Sequence, residues 1–113
     1  MPLPELYFSW VDLTSTGAAT VFEGLGLRTS RSLTFVAQAG GSGSTAEIGI
    51  ESGLPADASS YTAKFDRIGS TGYSLSSGIS ATIQFNGPLA AVRPYIISKT
   101  ASTTAVTVLL LGN

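Results

Sequence analysis

Apolar side chains in this chain recur at every second residue, and no stretch holds a 3.6-residue period. Residues 32–39 set Leu33, Phe35 and Ala37 on one side. Residues 45–51 set Ala46, Ile48 and Ile50 against Glu47, Gly49 and Glu51, and residues 79–86 set Ile79, Ala81, Ile83 and Phe85 against Ser80, Thr82 and Gln84. Period two is the spacing of a strand with one buried face. Clusters of Gly, Ser, Pro and Asn end each run, as the Gly40-Gly41-Ser42-Gly43-Ser44 stretch does after the third, so the runs stay short. Strands are expected at 6–14, 20–27, 32–39, 45–51, 61–68, 79–86, 89–99 and 104–111. The 20–27 strand is weakened by Gly24 and Gly26, and 69–78 reads as turn-rich with a short piece at 73–75. About eight strands at this spacing predict an all-β fold, an antiparallel β-sandwich or jelly roll. With 113 residues the chain has the length of one domain. Residues 1–5, with Pro2 and Pro4, read as an extended arm preceding a 6–113 domain.

Two strands break the one-face rule. In the first, Leu6, Phe8 and Trp10 alternate with Tyr7, Val11 and Leu13; in the last, Val106, Val108 and Leu110 oppose Ala105, Leu109 and Leu111. A strand apolar on both faces is covered on both, here by a loop or by another subunit. Charged residues are 12% of the chain, against ~25% in an average soluble domain, which favours the subunit. Leu3, Leu6, Phe8, Trp10, Leu109 and Leu111 are therefore the candidate interface residues. Pro2 and Pro4 withdraw two backbone donors, so the arm is expected to reach onto a neighbour or to fray.

The same composition removes whole classes of chemistry. The chain has no Cys and no His, hence no thiolate–metal site, thiol nucleophile, imidazole base or His-ligated metal. The expectation is a non-enzymatic protein with no catalytic residue, metal site or cofactor. Lys99 and Lys64 lack the Ser three residues upstream that an S-x-x-K dyad needs. Glu47 and Glu51 share a strand face but stand ~13 Å apart, too far for a glycosidase pair. Gly24-Leu25-Gly26-Leu27-Arg28-Thr29 lacks the following helix of a phosphate-cradling loop. Six scattered Lys and Arg make no basic stripe, so no nucleic-acid partner is expected. No apolar run approaches the ~20 residues of a spanning helix, so no membrane partner is expected either. Without Lys or Arg before Arg28 the start does not read as a signal peptide, which suggests synthesis in a cytoplasm. Tyr7, Trp10, Tyr61, Tyr73 and Tyr95 could supply stacking surfaces, so carbohydrate stays open as a ligand. Arg93 stands in an apolar strand and needs a partner, for which Glu47, Glu51 and Asp66 are the candidates. Its role is read as structural. Pro94 places that strand at an edge or a bulge.

The order of motifs over residues 45–112 adds a resemblance. A strand ending Ile48-Gly49-Ile50-Glu51-Ser52-Gly53 is followed by a loop and by residues 61–68. Then come Ser80-Ala81-Thr82-Ile83-Gln84-Phe85, Ala91-Val92-Arg93-Pro94-Tyr95-Ile96, a Ser/Thr turn, and Val106-Thr107-Val108-Leu109-Leu110-Leu111-Gly112. This resembles the small β-sandwich structural proteins of tailed bacteriophages, with their apolar-Val-Arg-x-x-Ile strand and closing Val-Thr-Val-x-Leu-x-Gly strand. Many of those proteins carry Asp-Gly and then Trp after the Glu/Ser strand, where this chain has Leu54-Pro55-Ala56-Asp57-Ala58 and Tyr61. The resemblance implies a virion location after synthesis in the host cytoplasm. It also implies a capsid-decorating (cement) or head-fibre role and a homo-oligomer such as a trimer. The partner would be the major capsid protein or another virion protein. A carbohydrate-binding or fibre-tip module and a tail component are the alternatives.

Overall fold

The computed structural model describes residues 4–53, 65–101 and 104–113. Among them lie eight strands: β1 (Glu5–Leu13), β2 (Gly17–Ala18), β3 (Ser32–Ala39), β4 (Thr45–Gly53), β5 (Phe65–Ser76), β6 (Ala81–Asn86), β7 (Ala91–Lys99) and β8 (Val106–Gly112). One short helix, α1 (Leu25–Thr29), separates β2 from β3. Every strand pairing is antiparallel, in two four-stranded sheets ordered β1-β8-β3-β6 and β2-β7-β4-β5. The pairs 1/8, 2/7, 3/6 and 4/5 are those of one long folded ribbon. Rolling that ribbon adds the 8/3 and 7/4 contacts. This is the connectivity of a jelly roll, within the all-β sandwich that the alternation predicts.

The interior faces of both sheets supply the core. On β3, Leu33, Phe35, Ala37 and Ala39 are buried and Thr34, Val36 and Gln38 are not; on β8, Val106, Val108 and Leu110 are buried. Ile48 and Ile50 of β4 and Ile96 of β7 face them from the other sheet. Phe35 sits among rings, 6.5 Å from Trp10 and 5.7 Å from Phe85. The Trp10 indole N–H, which has to be satisfied once buried, donates to the Thr20 carbonyl at 2.8 Å.

Several local expectations are corrected. The 20–27 strand is replaced by two-residue β2, an isolated bridge from Phe22 to Val92, and α1. The helix turns Leu27 fully into the core, and its Gly26 admits the Tyr7 ring, which a Cβ there would meet at 2.9 Å. The chain after Gly24 is thus helical for one turn rather than extended. Residues 69–78 are turn-rich as expected but belong in part to β5. Gly69, Ser70, Thr71 and Gly72 loop out opposite Gly49 between the pairs Ile50↔Ile68 and Ile48↔Tyr73. The short piece expected at 73–75 pairs with β4 as residues 73–76, and a turn follows in which the Ile79 N–H donates to the Ser76 carbonyl at 3.3 Å. Ile79, expected inside, is 66% exposed because β6 starts only at Ala81. Pro94 is on no edge: β7 lies between β4 and β2. On the β2 side the Pro94 carbonyl accepts from the Ala19 N–H at 2.9 Å, and beyond Tyr95 and Ile96 that flank is irregular, so the N–H that proline lacks is not called for. Glu5, assigned to the arm, belongs to β1 and pairs with Gly112.

The first strand departs most from its expected parity. Leu6 pairs with Leu111 and Phe8 with Leu110, so Tyr7 is an extra residue. Trp10 pairs with Val108 and Leu13 with Val106, so Val11 and Asp12 form a second irregularity, with Asp12 at φ 54°. A bulge flips the side that following residues face. Leu6 consequently lies outside, while Phe8, Trp10 and Leu13 lie inside. Phe8 and Trp10, expected at an interface between chains, instead pack in this chain's own core, their rings 4.8 Å apart. Leu3 and the Tyr61 and Lys64 part of the fifth expected strand lie outside the described residues.

Candidate functional site

The two outer sheet faces differ in chemistry. On the β1-β8-β3-β6 sheet, the register stacks Leu6, Leu111 and Thr34 in one row, continued by Gln84. Ser9, Leu109, Val36 and Thr82 form the next row, and Thr107 beside Gln38 begins a third. None of these side chains is charged. Leu6 is 57% exposed and Val11, at the rim, 59%, while Leu109, Leu111 and Val36 are half-buried among their neighbours. Strands of seven residues at ~3.3 Å each, four abreast at ~4.8 Å, span about 23 Å by 19 Å. Within that area Leu6, Val36, Leu109 and Leu111 lie among Ser, Thr and Gln side chains, an uncharged surface of mixed polarity. Of the candidate interface residues, Leu6, Leu109 and Leu111 are brought together on this face. Val36 and Val11 join them; for Val36 the signal is its parity in β3, opposite to Leu33, Phe35 and Ala37.

The outer face of the β2-β7-β4-β5 sheet holds the charge. Glu51, 7% exposed, lies on β4 directly opposite Arg93 of β7 and Arg67 of β5. Arg93 Nε donates to Glu51 Oε1 at 2.9 Å, and Arg67 Nη2 donates to Oε2 at 3.4 Å. Of the three partners considered for Arg93, the register selects Glu51. Each guanidinium then crosses β4 to a ring on the far strand: Arg93 lies 4.1 Å from the Phe65 centroid and Arg67 5.2 Å from that of Tyr95. Arg67 can cross because the residue beneath it is Gly49, where a Cβ would fall 2.3 Å from its Cδ and Nε. The looped-out segment of β5 completes its hold, since Arg67 Nη1 donates to the Thr71 carbonyl. Arg67 was not singled out from the sequence; its place two residues after Phe65 on an alternating strand was the available signal.

Buried ions removed from their partners are costly. Arg93→Ala strands Glu51 with the longer of its two ion pairs and uncovers Phe65. It is expected to lower stability by about 1–3 kcal/mol in chemical denaturation. A variant that melts like the parent would show that Arg67 alone satisfies Glu51.

The other sequence candidates are dispersed. Trp10 is in the core, the Tyr7 hydroxyl is hydrogen-bonded to Ser30 Oγ at 2.7 Å, and Tyr73 Oη accepts from the Ser70 N–H at 2.9 Å. Tyr95 is covered by Arg67, so the described tyrosines and Trp10 share no single exposed face. Glu47 packs beside Gly72 rather than against Glu51. Lys99 Nζ is occupied by the carbonyls of Thr14 and Thr104. Among the described residues no group of three His, Cys, Asp or Glu side chains could hold a metal ion, and no helix is long and apolar enough to cross a membrane. No protein-family model and no curated protein matches the chain.

Proposed function

We propose that this chain is a structural protein of a tailed-bacteriophage virion, which decorates or cements the capsid by assembling with copies of itself. The observation that carries the reading is the uncharged outer face of the β1-β8-β3-β6 sheet, with Leu6, Val36, Leu109 and Leu111 at its centre. A surface without charge has no ion to desolvate when covered and no sign that repels its own copy. Its Ser, Thr and Gln side chains both donate and accept, so a second copy can satisfy them. A face-to-face pair of this size buries less than the ~1,200–2,000 Å² of a stable two-body interface, so association of the free chain is expected to be weak and to rise with concentration. The jelly-roll connectivity supports the reading by analogy, because capsid domains use it. Lectin domains use it too, but with Trp10 inside and Tyr95 and Phe65 under guanidinium groups, a stacking surface for sugar has little support.

The test is to probe purified particles, from the cells that express the chain, with an antibody raised against it. The expected result is co-purification with tailed particles at a fixed copy number per capsid. Recovery only in the free fraction, with none on particles, would overturn the proposal.

A further inference from the structure

We infer that the Arg93 guanidinium, fixed by Glu51 and Phe65 on the outer face of the β2-β7-β4-β5 sheet, receives an acidic side chain from a protein partner. An arginine carries five N–H donors in a planar fork. Arg93 uses Nε on Glu51 Oε1, and its Nη groups have no hydrogen-bond partner among the described residues. Arg67 is different, with one Nη on Glu51 and the other on the Thr71 carbonyl. The Arg93 side chain remains 26% exposed, so its free edge can be reached.

The group is also already ordered. One end is pinned by an ion pair at 2.9 Å and its plane lies 4.1 Å from a ring centroid, so little freedom is lost when an acceptor binds. Two guanidiniums around one carboxylate leave a single positive charge. A planar carboxylate matches both that charge and the fork, whereas a phosphate dianion would be half compensated. Glu47, the other acid on this face of β4, stands four residues from Glu51, ~13 Å along the strand. This inference goes beyond the assembly reading and uses the opposite sheet face. Its test needs no particle, so either can fail alone.

The experiment follows the arginine Nε–H resonances of the isotope-labelled chain during titration with a hexaglutamate peptide, and separately with inorganic phosphate at matched ionic strength. Expected is a saturable shift at Arg93 with half-saturation at about 1 mM or below for the peptide, and weaker binding of phosphate. Arg93→Lys, which keeps the charge near Glu51 but lacks the fork, should bind the peptide about tenfold more weakly. The parent resonance gives a reading even if that variant folds poorly. Four results would overturn the inference: no saturable shift, equal shifts at the exposed Arg28 and Arg31, phosphate binding as tight as the peptide, or unchanged affinity in a folded Arg93→Lys chain.

Discussion

Phe35→Ala is expected to lower the stability of the chain by about 3–5 kcal/mol, the usual range for removing a buried aromatic ring. Phe35 is fully buried at the middle of β3, paired with Leu110 on one side and Ile83 on the other. Its ring fills the space between Trp10 and Phe85, and two large rings cannot close over the void without leaving their rotamers. Against a total stability of ~5–15 kcal/mol, the loss is a large fraction, and the melting temperature should fall by about 12–20 °C. Val36→Thr, one residue along and on the outer face, should cost less than about 1 kcal/mol. Urea titrations of the two variants check the inside–outside assignment of β3. Comparable losses would contradict it.

Leu109→Lys is expected to weaken self-association by about a hundredfold or more while leaving the fold intact. Leu109 pairs with Ser9 and Val36 at the centre of the uncharged face, neither of which offers a countercharge to a buried ammonium. An unpaired charge taken from water into such a contact costs about 3 kcal/mol or more. In the separated chain the lysine stem can lie along the same surface with its head in water, so the denaturation midpoint should barely move. Size-exclusion chromatography with light scattering, run beside a thermal melt at a dilution where the parent is a single chain, so that lost association does not itself lower the midpoint, separates the two effects. Loss of both mass and melting temperature would mean that Leu109 belongs to the chain's own core.

How much of this was legible in the sequence depends on parity. β3, β4 and β8 keep strict alternation, and their inner and outer faces follow from counting by twos. The outer position of Leu109 and Leu111 comes from that count. β1 defeats it, because the extra residue at Tyr7 separates Leu6 from Phe8 and Trp10, and nothing local distinguishes a bulge from a regular pleat. α1 is five residues long, too short to show a period, and its glycines resemble a turn until the Tyr7 ring is seen against Gly26. In β5 the Gly69-Ser70-Thr71-Gly72 signal is real, but it marks a loop-out within a strand that resumes. Arg93 visibly needs an acid, yet choosing Glu51 over Glu47 or Asp66 requires the β4–β7 register, which residues 42 apart in sequence do not specify.

Sedimentation equilibrium of the intact chain, over a wide concentration range and beside Leu109→Lys, tests most directly whether this protein works by assembling through its uncharged face. The predicted result is a mass that rises with concentration to a whole multiple of 11.6 kDa, three copies if the expected trimer forms, and a variant that stays near the single-chain mass. A parent that remains at 11.6 kDa throughout, or a Leu109→Lys chain that assembles as well as the parent, would contradict it.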